Sequence, residues 1–431
     1  MSNPSGISLD PWFDNYAERA SGLTASEVRA LFAVANRPEV VSLAGGMPFV
    51  AALPFDNVTK TVQRVLGNAG PQALQYGSGQ GLPELREHIM NIMALEGIRA
   101  GVDDIVVTTG SQQGLDLISK LFINPGDAIL AESPSYVGAM GVFRSYQARV
   151  EHVAMDDEGM IPQSLRERIA NLRALKIPIK FLYLIPNFQN PAGVTLSAAR
   201  RLEILDIAQA EGILVVEDNP YGLLWFDRAP PHAIRSADES GVIYLGSFSK
   251  TFAPGLRVGW VVAPHGIREK LVLASEAAIL SPSSFSQMIL AEYFESHDWK
   301  GQIDTFRGLY RERRDAMVAA LAQYAPDIPH TTPTGGFYLW LTLPEGLDSK
   351  EMLPRAVKEL VAYTPGTAFY ANGDGRANLR LAFCYPEPSF IEEGIKRLSR
   401  VIAEELELLE TFGPTNTSVS ASLDAPPPEV T

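Results

Sequence analysis

Between Gly246 and Trp260 the chain reads GSFSKTFAPGLRVGW. Ser247, Ser249, Lys250 and Arg257 follow a β-forming run, which brings two hydroxyls, an amine and a guanidinium to one strand end. Hydroxyls and guanidinium groups bind anions, and an unprotonated lysine amine serves as nucleophile or base. Open α/β sheets bind ligands outside the carboxyl ends of their strands, so this cluster points to a site; alone, the same residues could also form a solvated loop with a surface lysine. A second segment, VVEDNPY, ends a strand with Asp218 and sets Tyr221 close behind. A carboxylate there could equally be a helix cap or an ion-pair partner. Two further strand ends carry Asn190, Pro191 and Gly193 in PNFQNPAG, and Gly110, Ser111 and Gln112 in TTGSQQGLDL. The latter joins strand to helix, so its amides and the positive helix end form a cradle for phosphate, with Ser111 free to cap the helix as well.

These residues need a sheet to hold them. Candidate strands run over 105–109, 128–132, 149–153, 181–185, 213–217, 242–246 and 258–262, each a short run rich in β-branched or apolar residues bounded by turn formers. Most connections are long enough for a helix, which favours parallel neighbours. The link from Gly246 to Val258 contains Pro254 and Gly255 and is too short for a helical crossover, so one antiparallel strand is expected. The fold class is therefore α/β: a large domain with a seven-stranded, mostly parallel mixed sheet between helices, followed by a smaller α/β domain. Upstream, Pro83 opens a helix with Leu85, Ile89, Ile92 and Met93 on one face. Downstream, the charged stretch Tyr310 to Tyr324 reads as a long exposed helix leading away from the sheet. Then come Gly335, Gly336 and the strand FYLWLTL, a helix near Met352 to Leu360, the strand NLRLAF, and a closing helix carrying Ile391, Ile395, Leu398 and Ile402. After Phe412 the sequence lacks aromatic residues and any period, and it is expected to be a disordered tail.

Composition narrows the function. The 431 residues suffice for two or three domains, with 46% hydrophobic and 20% charged residues, as in ordinary globular proteins. The formal charge is −14, and no Lys/Arg stripe could track a nucleic-acid backbone. Cys384 is the single cysteine, so no intrachain disulfide or cysteine-rich metal cluster forms, and the six scattered histidines lack ligand spacing; no metal is expected. No secretory leader or membrane span is visible, and the expected location is the cytoplasm.

In order and spacing, the strand-end segments resemble the fold-type-I pyridoxal-phosphate aminotransferases of class I/II, within the group that includes 2-aminoadipate and kynurenine aminotransferases. The similarity runs from Thr24 to about Leu406. It implies that Lys250 forms the Schiff base with pyridoxal 5′-phosphate, that Asp218 pairs with the ring nitrogen, and that Tyr221 and Asn190 bind the ring hydroxyl. It further implies phosphate ligation by Ser247, Ser249, Arg257 and the amides of Ser111 and Gln112, and stacking of Tyr136 (ESPSYVG) on the ring. Arg380 (NLRLAF) would grip the substrate carboxylate, and Gly45 and Gly46 (SLAGGMP) would form a loop over the substrate. Tyr76 (LQYGSGQG) would reach the phosphate of the neighbouring subunit in a homodimer with shared sites. Arg29 (TASEVRALF) would lie on a mobile lid helix and select acidic side chains.

The corresponding division is an N-terminal arm (1–23), a lid segment packing with the small domain (24–55), a large domain (56–300), a small domain (301–410) and a tail (411–431). The implied reaction is ping-pong transamination between an aromatic, aliphatic or 2-aminoadipate-like L-α-amino acid and a 2-oxo acid, with 2-oxoglutarate as acceptor. A β-lyase or racemase on the same scaffold is the enzymatic alternative. A transcription regulator with an aminotransferase-like effector domain would carry a winged-helix domain ahead of the match, for which the sequence before Thr24 leaves no room. Two other motifs fail: Ser247 to Lys250 spells S-x-x-K without SDN or KTG elsewhere, and GSGQG lacks the spacing of a dinucleotide loop.

Overall fold

The computed structural model describes residue 10, residues 12–23, residue 37 and residues 39–413. Arg29 and the segment after Gly413 lie outside the described residues, so neither the lid-helix nor the tail expectation meets a structural observation.

The described residues form thirteen strands. A two-residue β1 (Val41–Ser42) precedes the large sheet. That sheet contains β2 (Ile105–Thr108), β3 (Ala128–Ser133), β4 (Arg149–Asp156), β5 (Gly159–Met160), β6 (Ile179–Leu184), β7 (Leu214–Asp218), β8 (Val242–Ser247) and β9 (Gly259–Val262). Its order is β2-β9-β8-β7-β6-β3-β4-β5. The strands β8, β7, β6, β3 and β4 are parallel, while β9 runs antiparallel to both β8 and β2. The expected antiparallel strand is thus β9. The sheet holds eight strands rather than seven because Gly159–Met160 folds back on the end of β4, a pairing too short to leave a hydrophobic pattern.

Alternation along the strands divides the core. Ile129, Ala131, Phe181, Tyr183, Val216, Ile243 and Leu245 belong to one apolar cluster, whereas Ala128, Leu130, Leu182, Leu184, Val215 and Val242 belong to another. Both faces are therefore buried, which explains the near-continuous apolar runs of the parallel strands.

The smaller antiparallel sheet has the order β10-β13-β12, formed by Tyr338–Thr342, Asn378–Ala382 and Thr364–Pro365. Beside it, β1 pairs in parallel with β11 (Val361–Ala362). The long helix starts at Trp299, earlier than its charged stretch suggests, because the Asp298 side chain accepts from the amide of Gly301 and caps it. Asp348 likewise caps the helix Ser349–Lys358, and the closing helix spans Pro388–Phe412. Among the described residues no helix is long and apolar enough to cross a membrane, and no cluster of three or more His, Cys, Asp or Glu could hold a metal ion.

Candidate active site

Strands β2, β3, β6, β7 and β8 point the same way, so their carboxyl ends open on one edge of the sheet. A cleft of about 480 Å³ lies there, closed from above by Gly46, Met47, Tyr338 and Arg380. Ser111, Gln112, Tyr136, Asn190, Asp218, Tyr221, Ser247, Ser249, Lys250 and Arg257 line the rest of it. Gly45 does not reach the cleft, although its carbonyl lies 3.7 Å from Cys384 Sγ. Tyr76 stands apart, 75% exposed.

The anion cradle is built by close backbone approach. Gly110 turns at φ +76° to open the helix Ser111–Phe122, and the first amides of a helix have no intrahelical acceptor. A Cβ at Gly110 would press on the Arg257 guanidinium, and one at Gly259 would meet the backbone of Gly110 and Ser111. Arg257 itself adopts a left-handed backbone at φ 53°, a conformation that costs an L residue about 1–2 kcal/mol. Its guanidinium contacts Pro254 O at 3.3 Å, and Ser249 Oγ and Thr109 O each at 3.5 Å. The Ser249 amide donates to Ser247 Oγ at 3.1 Å.

On the cleft floor, Asp218 Oδ2 accepts from the Tyr183 hydroxyl at 2.9 Å, and Oδ1 is buried with no partner among the described residues. Burial pushes the Asp218 carboxyl up to about 7, against the pull of the Tyr183 bond. Lys250 Nζ donates to Gly46 O at 2.8 Å. Tyr221 packs edge-on against Phe337 and Tyr338, and burial together with Tyr338 raises its hydroxyl well above the ordinary tyrosine range. The Tyr136 hydroxyl lies 3.4 Å from Gln112 Oε1, and burial pushes it up to about 12.

Arg380 is held on several sides. Its Nη1 donates to Asn190 Oδ1 at 2.9 Å, and Nη2 donates to Ala44 O at 2.6 Å and Thr364 Oγ1 at 3.3 Å. The guanidinium lies over the Tyr338 ring at 4.2 Å and the Phe369 ring at 4.9 Å, while Nε has no partner among the described residues.

Three residues escaped the sequence reading. Tyr183 and Tyr338 sit inside apolar strand runs and look like core aromatics; Tyr338 lines the cleft, and Tyr183 stays buried but reaches Asp218 with its hydroxyl. Glu132, at the end of β3, accepts from the Ile185 amide at 2.9 Å and Gln189 Nε2 at 3.2 Å, bracing the loop that carries Asn190. Its carboxyl is pushed up to about 8 by burial. The carboxylate in ESPSYVG was the visible clue.

A mixed sheet with a lysine, a buried carboxylate, an anion cradle and a clamped arginine at its carboxyl edge describes a fold-type-I pyridoxal-phosphate enzyme. The family model "Aminotransferase class I and II" matches residues 38–398, and the chain belongs to that family. It is 42% identical to aromatic-amino-acid aminotransferase 1 of Thermococcus litoralis over 91% of this chain and 95% of that one. Among solved structures, Pyrococcus horikoshii kynurenine aminotransferase superposes with a TM-score of 0.88 at 39% identity, covering 92% of this chain and 99% of that one. The α-aminoadipate aminotransferase of Thermus thermophilus, complexed with N-(5′-phosphopyridoxyl)-L-leucine, gives 0.84 at 35% identity, with 92% and 99% coverage. This chain is accordingly an aminotransferase that uses pyridoxal 5′-phosphate, and the matches favour transamination over elimination, racemisation or a regulatory role. The residues present fit that cofactor: the cradle suits a phosphate, the unpartnered Asp218 Oδ1 suits a ring N–H, and the Lys250 amine opens on the same cleft.

Proposed function

We propose that this chain moves the amino group of aromatic, aliphatic or 2-aminoadipate-like L-amino acids to 2-oxoglutarate by a ping-pong mechanism. The observation that carries the reading is the convergence of Lys250, Asp218 and Arg380 on one cleft. The relatives named for aromatic amino acids, kynurenine and α-aminoadipate support the donor range.

Bound in the cleft, pyridoxal 5′-phosphate supplies an aldehyde that condenses with amines and a ring that accepts electron density from the amino acid's Cα. Ser111, Gln112, Ser247, Ser249 and Arg257 would hold its phosphate, and Tyr136 would cover the ring. Tyr221 and Asn190 would hold the ring hydroxyl, and Asp218, with its unpartnered Oδ1, would keep a proton on the ring nitrogen. Lys250 would be the amine that holds the aldehyde carbon, and its place in the same cleft as Arg380 would let it act as the general base toward the substrate Cα proton. Arg380 offers a carboxylate its remaining N–H groups, and its fixed plane sets which Cα bond faces Lys250.

The same proposal includes a cytoplasmic homodimer in which Tyr76 completes the partner's site, and the division into arm, lid, large domain, small domain and tail at the boundaries given above. Borohydride reduction of the holoenzyme followed by peptide mapping tests the central assignment. The cofactor is expected on Lys250, and a label elsewhere, or none, overturns it. A panel of amino donors, followed by the absorbance change of the first half-reaction, then ranks the substrates.

A further inference from the structure

Asp218 is 2% exposed and lies at the end of β7, yet no cationic side chain among the described residues hydrogen-bonds to it. Among the described residues, its one hydrogen bond comes from the neutral phenol of Tyr183 on β6. The strand register explains the meeting. Tyr183 pairs with Val216, and Asp218 stands two residues further along on the same face, within diagonal reach of a tyrosine side chain. The Tyr183 ring is fully buried and pinned edge-on by Phe143 at 5.4 Å, itself edge-on to Phe181 at 5.5 Å.

We infer that Tyr183 is a positioning residue for the cofactor: its hydroxyl holds Asp218 Oδ2, so that the carboxylate turns Oδ1 into the cleft and stays ionised to receive the ring N–H. This rests on the reading that the cleft binds pyridoxal 5′-phosphate. A phenol has one proton to give. Burial and the adjacent carboxylate raise the Tyr183 hydroxyl well above the ordinary tyrosine range, so it stays protonated and donates. Burial alone favours a protonated Asp218, and the Tyr183 bond opposes this. Glu132 on β3 and Tyr136 just beyond it bring no positive charge, and the cations Lys250, Arg257 and Arg380 line the same cleft without a hydrogen bond to Asp218. Without the hydroxyl, both carboxylate oxygens would be buried and unpartnered, and Asp218 would keep its own proton instead of leaving one on the ring nitrogen.

The test is the affinity of the cofactor-free protein for pyridoxal 5′-phosphate, measured from pH 6 to pH 9 by quenching of intrinsic fluorescence, together with the absorbance titration of the bound cofactor. Tyr183→Phe is expected to weaken binding by about ten- to a hundredfold near neutral pH, the range for a hydrogen bond to a charged group, with the deficit shrinking as pH rises and Asp218 ionises. Tyr183→His keeps a donor and is expected to restore most of the affinity. In an Asp218→Asn background, Tyr183→Phe is expected to cost nothing further, because the group it acts through is gone. That pair carries no buried charge, so an added loss in it overturns the role even should Tyr183→Phe alone unfold. Unchanged affinity in Tyr183→Phe, or an equal loss with and without Asp218, overturns the role. Failure of the wild-type protein to take up the cofactor overturns the underlying reading instead.

Discussion

Arg380 shows how one side chain can be prepared for a ligand before it arrives. Hydrogen bonds to Asn190, Ala44 and Thr364 and the faces of Tyr338 and Phe369 leave it little rotational freedom. Arg380→Lys loses the planar fork and the stacking while keeping the charge. It is expected to raise the KM for amino donors at least about tenfold, with a smaller change in kcat, as steady-state kinetics would show. Glu132 makes a different prediction. Its carboxyl is pushed up to about 8 by burial, so between about pH 4.5 and pH 8 the folded chain holds a proton that the unfolded chain has released. Stability therefore falls as pH rises through that window, by at most about 1.4 kcal/mol per pH unit for one such group, and levels off above it. Glu96 and Asp218, each raised to about 7, act with the same sign. Glu132→Gln is expected to flatten the decline of Tm of the cofactor-free protein between pH 5 and pH 8; an unchanged slope would remove Glu132 from this account.

The junction of β2 with the helix Ser111–Phe122 depends on one glycine. Gly110 needs its positive φ, and its missing Cβ leaves space for Arg257. Gly110→Ala combines backbone strain of about 1–3 kcal/mol with displacement of the guanidinium from the cradle. The expected result is a Tm lowered by about 1–3 °C and a cofactor affinity reduced about tenfold or more, read by thermal melts and equilibrium binding. Much of this element scale was legible beforehand, since β2 to β9 lie close to their anticipated positions. Two exceptions have simple causes. The strand β4 runs on to Asp156 as a half-exposed alternating segment rather than an apolar run, and β5 exists only as two residues paired with its end.

At the scale of the whole molecule, exposed apolar residues gather on and around the helix Phe55–Ala73: Phe55, Leu66, Leu74 and Tyr76, with Leu273, Ile279 and Leu280 on or just after the helix His265–Ile279. Apolar surface of this kind supports the proposed second copy of the chain. A Tyr76→Ala variant and a Lys250→Ala variant, each nearly inactive alone, are expected to recover activity when mixed and reassociated. Random pairing makes half the dimers hybrids with one undamaged site in two, so about a quarter of wild-type activity per subunit is expected. No recovery, or an active monomer in light scattering at assay concentration, would contradict a shared site.

That Lys250, Asp218 and Ser111 stand at or just after strand ends was readable from the chain alone, because a strand's length and alternation are local properties of a few consecutive residues. The antiparallel β9 was readable for the same reason, since a short link holding Pro254 and Gly255 cannot cross back over a sheet. Tertiary structure alone decided that Tyr183 reaches Asp218, that the rings of Tyr338 and Phe369 both lie against Arg380, and that Gly46 receives Lys250. Those meetings join residues far apart in sequence through strand register and the docking of the small sheet over the large one. A hydrophobic pattern marks which face of a strand is buried, but it does not encode which distant side chain lies opposite.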